Sequence, residues 1–576
     1  MYRYQEVKTQ RKRIIFLSVI TLSIGLVLIL RLFQIQVLEH NYYQALAEKQ
    51  HWVQEEIPAN RGRILVVDKD SEELYPLAAN IIKHLVYAVP GQIKDKKETA
   101  QKLARILNMK QEEIEDSIKD NRKFYVPIKH KISDQETEEI KKSKLSGIYL
   151  NEEPQRIYPE KTLAAHILGF VNNEGHGQYG IEGFFDKELR GKPGFIQAEK
   201  DVLGTIISWN EAKINPADNG ADIVLTIDRN IQYKTEEILE KAVKKHQADS
   251  GSIIVMEPKT GKILAMACYP TFDPNKFFEV KDYNLFKNSA ISDVWEPGSI
   301  FKVITMAAAL NEGKITPETT YVDTGSVVID NHIIRNAGNR VYGQQTMTQV
   351  LENSINTGAI FAKEQIGNEM FYNYIKNFGF GVYTGIELAG EGKGNISSIN
   401  DWSRSQFATA TFGQGIAITP LQMATAIAAI ANNGRLMKPT IVEKIIKSDK
   451  KEEEIKPHLV RQVIKPNAAA QLGAMMVQVV EKGHGYQAQV PGYYVAGKTG
   501  TAQVPLPSGN GYDPNKTIGS FAGFAPINEP RFAILVKIDV PRDVIWAESS
   551  AAPVCGELTR ELLNYYKIPP SRPINK

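Results

Sequence analysis

The order of the predicted elements gives an α+β fold behind an N-terminal membrane helix. An early pair of apolar strand-like runs, a long stretch of helices, late strands and a terminal helix point to a mixed sheet-and-helix domain. At 576 residues the chain is too long for one core, so a second domain is expected. An uncharged apolar run, Ile14–Leu30, supplies the membrane element.

That run is about 17 residues, or about 25 Å as a helix. Arg31 can snorkel, and Leu32 and Phe33 extend the run toward the hydrocarbon thickness. Arg3, Lys8, Arg11, Lys12 and Arg13 precede it, so the positive-inside rule keeps the tail in the cytoplasm and exports the rest. Arg31-Leu32-Phe33-Gln34 is a poor cleavage site, which favours a retained single-pass anchor over a signal peptide. Composition elsewhere excludes more than it assigns. A net charge of +3 leaves no footprint of nucleic-acid binding, and 43% hydrophobic residues exclude disorder. The two cysteines, Cys268 and Cys555, form no metal-ligand cluster; Cys268 reads as a buried small hydrophobe, and their pairing is open.

After the anchor, Leu38–Gln54 reads as polar and helix-prone, and Ile57-Pro58-Ala59-Asn60 breaks it before a strand at Ile64–Val67. Residues Asp95 to Lys144 read as a solvated helical insertion, with apolar residues at helical spacing in Lys97–Leu107 and Glu112–Ile118. His166 and His176 lie among glycines and aromatics between Tyr158 and Gly194, and both read as structural. Past a break near Asn215–Asn219, Asp228 or Asn230 can cap a helix over about Ile231–His246. Two alternating runs, Gly251–Glu257 and Lys262–Cys268, are joined by Pro258-Lys259-Thr260-Gly261 as a hairpin. The last strands fall near Ser520–Ala525 and Phe532–Val540.

Three short motifs carry the chemistry. In Trp295-Glu296-Pro297-Gly298-Ser299-Ile300-Phe301-Lys302, Pro297 and Gly298 break the chain and an apolar helix follows. Ser299 therefore opens a helix with Lys302 one turn on, where a lysine with a destabilised charge can take a hydroxyl proton. The same spacing at Ser448-Asp449-Lys450-Lys451 sits in a charged run and reads as a solvated face. Ser354-Ile355-Asn356 lies between helical stretches; Ser-x-Asn also recurs at Ser208, Ser398 and Ser508 without that context. Lys498-Thr499-Gly500-Thr501 follows an apolar run and reads as a strand edge that can pair with a peptide and hold a carboxylate. The earlier Lys259-Thr260-Gly261 fills the hairpin turn instead.

In this order the motifs are those of the penicillin-recognising serine enzymes. The chain resembles class B penicillin-binding proteins over nearly its whole length. The likeness includes Arg61-Gly62-Arg63-Ile64, Ala165–Phe170, Gly180–Gly183, Leu225–Asp228, Phe412-Gly413-Gln414-Gly415, Thr419-Pro420-Leu421-Gln422 and Ser520–Pro526. Ser520-Phe521-Ala522-Gly523-Phe524 favours the division or sporulation type, with the elongation type as alternative.

The resemblance implies a cytoplasmic tail (1–13), an anchor (14–33), a non-catalytic pedestal of the dimerisation type (34–220), a penicillin-binding transpeptidase domain (221–569) and a tail (570–576). That last domain implies an antiparallel sheet with helices on both sides and an all-helical lobe. It implies Ser299 as acylated nucleophile, Lys302 as general base, and Ser354, Asn356 and Lys498 as a proton-relay and peptide-holding network. Thr499, Gly500 and Thr501 would bind the donor's terminal carboxylate, and the backbone N–H groups of Ser299 and Thr501 would form the oxyanion hole. The implied activity is D,D-transpeptidation of peptidoglycan stem peptides ending in D-alanyl-D-alanine, with β-lactams acylating the same serine and no metal or cofactor. A D,D-carboxypeptidase or β-lactamase type of hydrolase and a non-catalytic penicillin-binding sensor or division scaffold are the alternatives. Glu115-Asp116-Ser117-Ile118-Lys119 fails the glycosyltransferase pattern at its aromatic position, so a polytopic SEDS-type glycosyltransferase partner is implied, together with divisome proteins. One departure stands out: Gly483-His484-Gly485 occupies the place where many relatives carry Gly-Thr-Gly.

Overall fold

The computed structural model describes residues 2–43, 52–69, 71–123, 125–199, 213–506 and 511–573. Ser208, Ser508 and residues 574–576 of the expected tail lie outside the described residues, as does part of Leu38–Gln54. Two compact units are formed: Met1–Ala59 with Gly191–Asn219, and Asn60–Arg190 with Gly220–Lys576.

In the first unit a helix runs from Tyr2 to Phe33. A π-helical turn, Gln34–Leu38, continues it, and the combined stretch Arg11–Leu38 has a mean hydropathy of 2.5 and exposes its apolar side chains, which fits a single-pass membrane anchor. Trp52–Ile57 is a strand, so the helical expectation fails at Trp52–Gln54. It pairs antiparallel with Gly194–Glu199, from Trp52 opposite Glu199 to Ile57 opposite Gly194. A partner so far along the chain overrides local propensity.

In the second unit, Ile64–Val67 is a strand as expected. It pairs parallel with Asp222–Leu225 and antiparallel with the long strand Leu74–Ala88. Residues 95–144 are no solvated insertion. The helices Lys96–Leu107 and Gln111–Ser117 appear as expected, but Val126–Ile132 is a strand paired with Leu74–Ala88. Together with the helix Asp134–Ser143 they bury Leu103, Leu107, Ile114, Ile118, Val126 and Ile140 in a separate core. The amphipathic stripes cover one another, which their charged outer faces hide in the sequence.

The sheet that positions the site has five antiparallel strands: β1 Ser250–Met256, β2 Ile263–Tyr269, β3 Ala496–Pro505, β4 Tyr512–Ala525 and β5 Phe532–Asp539. Their order is β2-β1-β5-β4-β3, which leaves β3 at an edge. Helix α1, Arg229–Lys245, precedes it and is capped by Asp228, whose carboxylate accepts from the N–H groups of Asn230 and Ile231. The β1–β2 runs are less alternating than the sequence reading supposed. Ile253 and Val255 face a core shared with α1 and the terminal helix, while Ile254 and Met256 face the larger helical core. A sheet covered on both faces needs apolar side chains on both. Cys268 and Cys555 are free and buried.

The helical side is built from α2 (Lys302–Asn311), α3 (Met347–Glu352), α4 (Asn356–Glu364), α5 (Pro420–Ala431) and α6 (Pro466–Lys482). α5 begins with a capping box, Thr419 with Gln422, and proline at its first position. The chain ends on α7, Ala551–Tyr565.

Candidate active site

Pro297 and Gly298 set up the first motif. Gly298 has φ +59, and residues Gly298–Phe301 form a 3-10 turn that runs into α2. That places Ser299 at the head of the helix and Lys302 one turn on, as the sequence implied. A Cβ on Gly298 would stand 3.2 Å from the Thr501 carbonyl oxygen, so the turn packs directly against edge strand β3. Gly500 is equally constrained: a Cβ there would meet Ile300 at 2.9 Å and the Pro297 carbonyl at 2.9 Å.

Ser354 occupies the turn between α3 and α4 with φ +53, a strained value for a residue with a Cβ. The strain coincides with the meeting point of the site. Lys302 Nζ donates to the Ser354 carbonyl at 2.5 Å, to Ser354 Oγ at 3.2 Å and to Asn356 Oδ1 at 2.8 Å. Lys498 Nζ, from β3, donates to the same Ser354 Oγ at 3.0 Å. Lys302 and Lys498 are both fully buried. Burial, reinforced by the charge of Lys498, pushes the Lys302 ammonium well below the usual lysine range. Burial brings Lys498 down to about 7, against the opposing pull of Glu548. Two ammonium groups sharing one hydroxyl partner cannot both stay charged at low cost.

In front of this network lies a cavity of about 490 Å³, whose lining includes Ser299, Ser354, Asn356, Thr499 and Thr501. The structure thus brings all three motifs together. Ser299 reaches the cavity beside the network, and Gly500 lies behind the wall, where β3 touches the Ser299 turn. His166 and His176 lie apart from the site. His166 Nε2 bonds the Leu285 carbonyl at 2.9 Å, and burial lowers it to about 4; His176 bonds Arg190 at 3.0 Å. Both are structural, as read.

Other site residues carried no sequence motif. Asn336 Oδ1 accepts from the Asn356 N–H at 3.1 Å, and its amide donates to Asp323. Thr357 Oγ1 donates to Asp323 at 2.6 Å. Burial would raise the Asp323 carboxyl, but donors from Thr357, Tyr342, Gly325 and Asn336 outweigh it and hold it low. This cluster pins the start of α4 and hence Asn356. Glu296 accepts from the Gly415 N–H at 2.8 Å and from Tyr512 at 2.9 Å, anchoring the approach to Ser299. Among the described residues no group of histidine, cysteine and acidic side chains could hold a metal ion.

Residues 251–563 match the profile described as penicillin binding protein transpeptidase domain, and residues 56–225 that of the penicillin-binding protein dimerisation domain. Stage V sporulation protein D of Bacillus subtilis is 33% identical, over 98% of this chain and 87% of that protein. The chain belongs to the class B penicillin-binding proteins. This penicillin-binding protein is also 29% identical to the peptidoglycan D,D-transpeptidase FtsI homolog of Mesostigma viride, over 97% of each chain. Among solved structures, penicillin-binding protein 3 of Mycobacterium tuberculosis in complex with aztreonam superposes with a TM-score of 0.70. It is 26% identical, and the match covers 90% of this penicillin-binding protein and 99% of that chain.

Proposed function

We propose that this chain is a peptidoglycan D,D-transpeptidase that works through a serine acyl-enzyme on Ser299. The reading is carried by one observation: a neutralisable Lys302 and Lys498 meet at Ser354 Oγ immediately behind the cavity that Ser299 lines. Lys302 Nζ, favoured in its uncharged form, takes the Ser299 proton, and Oγ attacks the penultimate D-alanine carbonyl. The N–H groups of Ser299 and Thr501 hold the oxyanion. Thr499 and Thr501, with Gly500 keeping the strand close, receive the terminal carboxylate. As the tetrahedral adduct collapses, the D-alanine nitrogen takes a proton through Ser354 and the two lysines. An amine of a second stem peptide then attacks the ester, and Oγ regains its proton. A β-lactam enters the same first step, but its opened ring keeps the leaving nitrogen tethered.

Residues 34–220 act in this reading as a non-catalytic pedestal and 221–569 as the catalytic domain. The anchor leaves the short tail in the cytoplasm and the catalytic domain outside. A polytopic SEDS-type glycosyltransferase and divisome proteins would supply glycan strands and placement.

Peptide mapping after labelling with a fluorescent penicillin tests the nucleophile. The adduct is expected on the peptide containing Ser299, and an adduct elsewhere overturns the assignment. Offering the donor peptide both an amine and water then separates the transferase from a carboxypeptidase or β-lactamase, because free acid alone removes transpeptidation.

Gly413 gives a further expectation. Its φ is +80, and a Cβ there would stand 2.4 Å from the Gly298 carbonyl oxygen and 2.6 Å from the Gly298 nitrogen. Backbone meets backbone, so only a shift of the Ser299 turn can relieve the clash. Gly413→Ala is expected to destabilise the protein by about 1–3 kcal/mol. Stopped-flow labelling should also show acylation slowed roughly tenfold, as for a misplaced reacting group.

A further inference from the structure

One wall of the cavity carries a pair that the reaction scheme above leaves unused. Among the lining residues Glu548 is the one acidic side chain and His484 the one histidine. His484 Nδ1 lies 2.7 Å from Glu548 Oε2. A carboxylate only accepts, so Nδ1 carries the proton donated to it, and in the neutral ring the lone pair lies on Nε2. Among the described residues Nε2 carries no hydrogen bond, and the two side chains are 36% and 29% exposed.

Both residues are held by the catalytic elements themselves. The His484 N–H donates to the Glu352 carbonyl at 3.3 Å, two residues before Ser354. A Cβ on Gly483 would stand 2.5 Å from that same oxygen, so the turn is pressed onto the end of α3. On the other side, the Ala547 N–H donates to Thr501 Oγ1 at 3.0 Å, which sets Glu548 beside the edge of β3. Trp546, half-exposed, lines the same wall.

Resting on the acyl-transfer reading above, the next step has a defined direction. Amine attack on the acyl-enzyme is the reverse of amine departure, so the acceptor arrives on the Thr501 side, where the first D-alanine left. A primary amine reaches it at neutral pH as an ammonium, which has no lone pair to attack with. We propose that His484, oriented by Glu548, forms the acceptor subsite: the carboxylate draws in the ammonium of a primary-amine acceptor and His484 Nε2 takes a proton from it. The freed lone pair forms the new C–N bond while the ester bond to Ser299 Oγ breaks. The proton that the attacking nitrogen then sheds returns to Oγ through Lys302, and the imidazolium passes its own proton to water.

Among the charged groups near His484, Arg335 and Arg340 line the same cavity. Glu548 faces it from the segment after β5. Glu352, whose carboxyl burial raises against the pull of Lys482, lies at the end of α3, and Lys482 ends α6. Lys498 lies in β3, coupled to Glu548.

The test uses the full-length protein in detergent with an acyl-D-alanyl-D-alanine donor. Either n-propylamine, or hydroxylamine, which is uncharged at neutral pH, serves as acceptor. Mass spectrometry reads the ratio of amide (or hydroxamate) to free acid, which reports the fate of one acyl-enzyme whatever its rate of formation. His484→Gln and His484→Thr are expected to lower the n-propylamine ratio on the order of tenfold or more at neutral pH. The hydroxylamine ratio should change far less, and the n-propylamine deficit should shrink as pH rises toward the amine's own pKa. Glu548→Gln should move the ratios in the same direction. An unchanged n-propylamine ratio, or an equal fall for both nucleophiles at every pH, overturns the subsite. Absence of an acyl-enzyme on Ser299 in the unaltered chain, read before any amine is added, instead defeats the acyl-transfer reading and this inference with it.

Discussion

Lys302→Met is expected to slow acylation by a fluorescent penicillin by about 10³–10⁴-fold, the upper range for a lost general base. The methionine chain fits a fully buried site of similar length, so the protein folds and only the proton acceptor is gone. Lys302→Arg should fail as completely, because a guanidinium cannot give up its proton in a protein. The pH dependence follows from the same groups. Burial, with the Lys498 charge added, destabilises the Lys302 ammonium, so the uncharged base persists well below the usual lysine range. Falling pH protonates the coupled pair, of which Lys498 sits at about 7, and acylation falls on the acid side. Lys498→Met removes the neighbouring charge, lets Lys302 hold its proton more easily and moves the acid limb to higher pH. Stopped-flow labelling across pH checks both. A Lys302→Met variant within tenfold of the unaltered protein would exclude Lys302 as the base.

Where the sequence could be read, the cause was local. Pro297 and Gly298 break the chain and start α2 by themselves, so Ser299 and Lys302 follow from adjacent residues. Ser354 and Asn356 sit in a junction between helices that their flanks already mark. Lys498 follows an apolar strand start. What stayed hidden was held by pairs distant in the chain. Asp323, Asn336 and Thr357 converge only after separate strand pieces fold against α4, and no single one has a distinctive neighbourhood. His484 was visible as a departure from a pattern, but Glu548, its partner, was not. The same logic explains Trp52–Ile57, whose partner strand begins at Gly194. In Asp95–Lys144 the helices were legible, but dense surface charge masked the core they share with the strand Val126–Ile132.

The Arg61-Gly62-Arg63 and Gly180–Gly183 segments acquire a physical reason in a buried ion cluster, and it yields the largest stability effect expected here. Glu182, with no exposed side-chain surface, accepts from Arg61 Nε at 2.8 Å, from Arg156 Nε at 2.7 Å and from the Tyr158 hydroxyl at 3.2 Å. Arg156 also donates to the Gly62 carbonyl at 2.7 Å, and Arg61 to Asp186 at 2.8 Å. One carboxylate therefore compensates two guanidinium groups that are only 10% and 5% exposed, and it ties three chain segments together. Glu182→Gln keeps the shape but removes the charge, leaving Arg156 buried without a counterion. The expected cost is about 3–5 kcal/mol, the usual penalty for breaking a buried pair from one side. Urea unfolding gives the figure, and hydrogen exchange at the Ile64–Val67 amides should show where protection is lost. Replacing Arg61, Arg156 and Glu182 together with apolar residues should recover much of the loss, because the penalty comes from the stranded charges rather than from missing contacts. A Gln variant as stable as the unaltered protein would mean that the Arg156 charge is satisfied by the Gly62 and Asn80 oxygens alone.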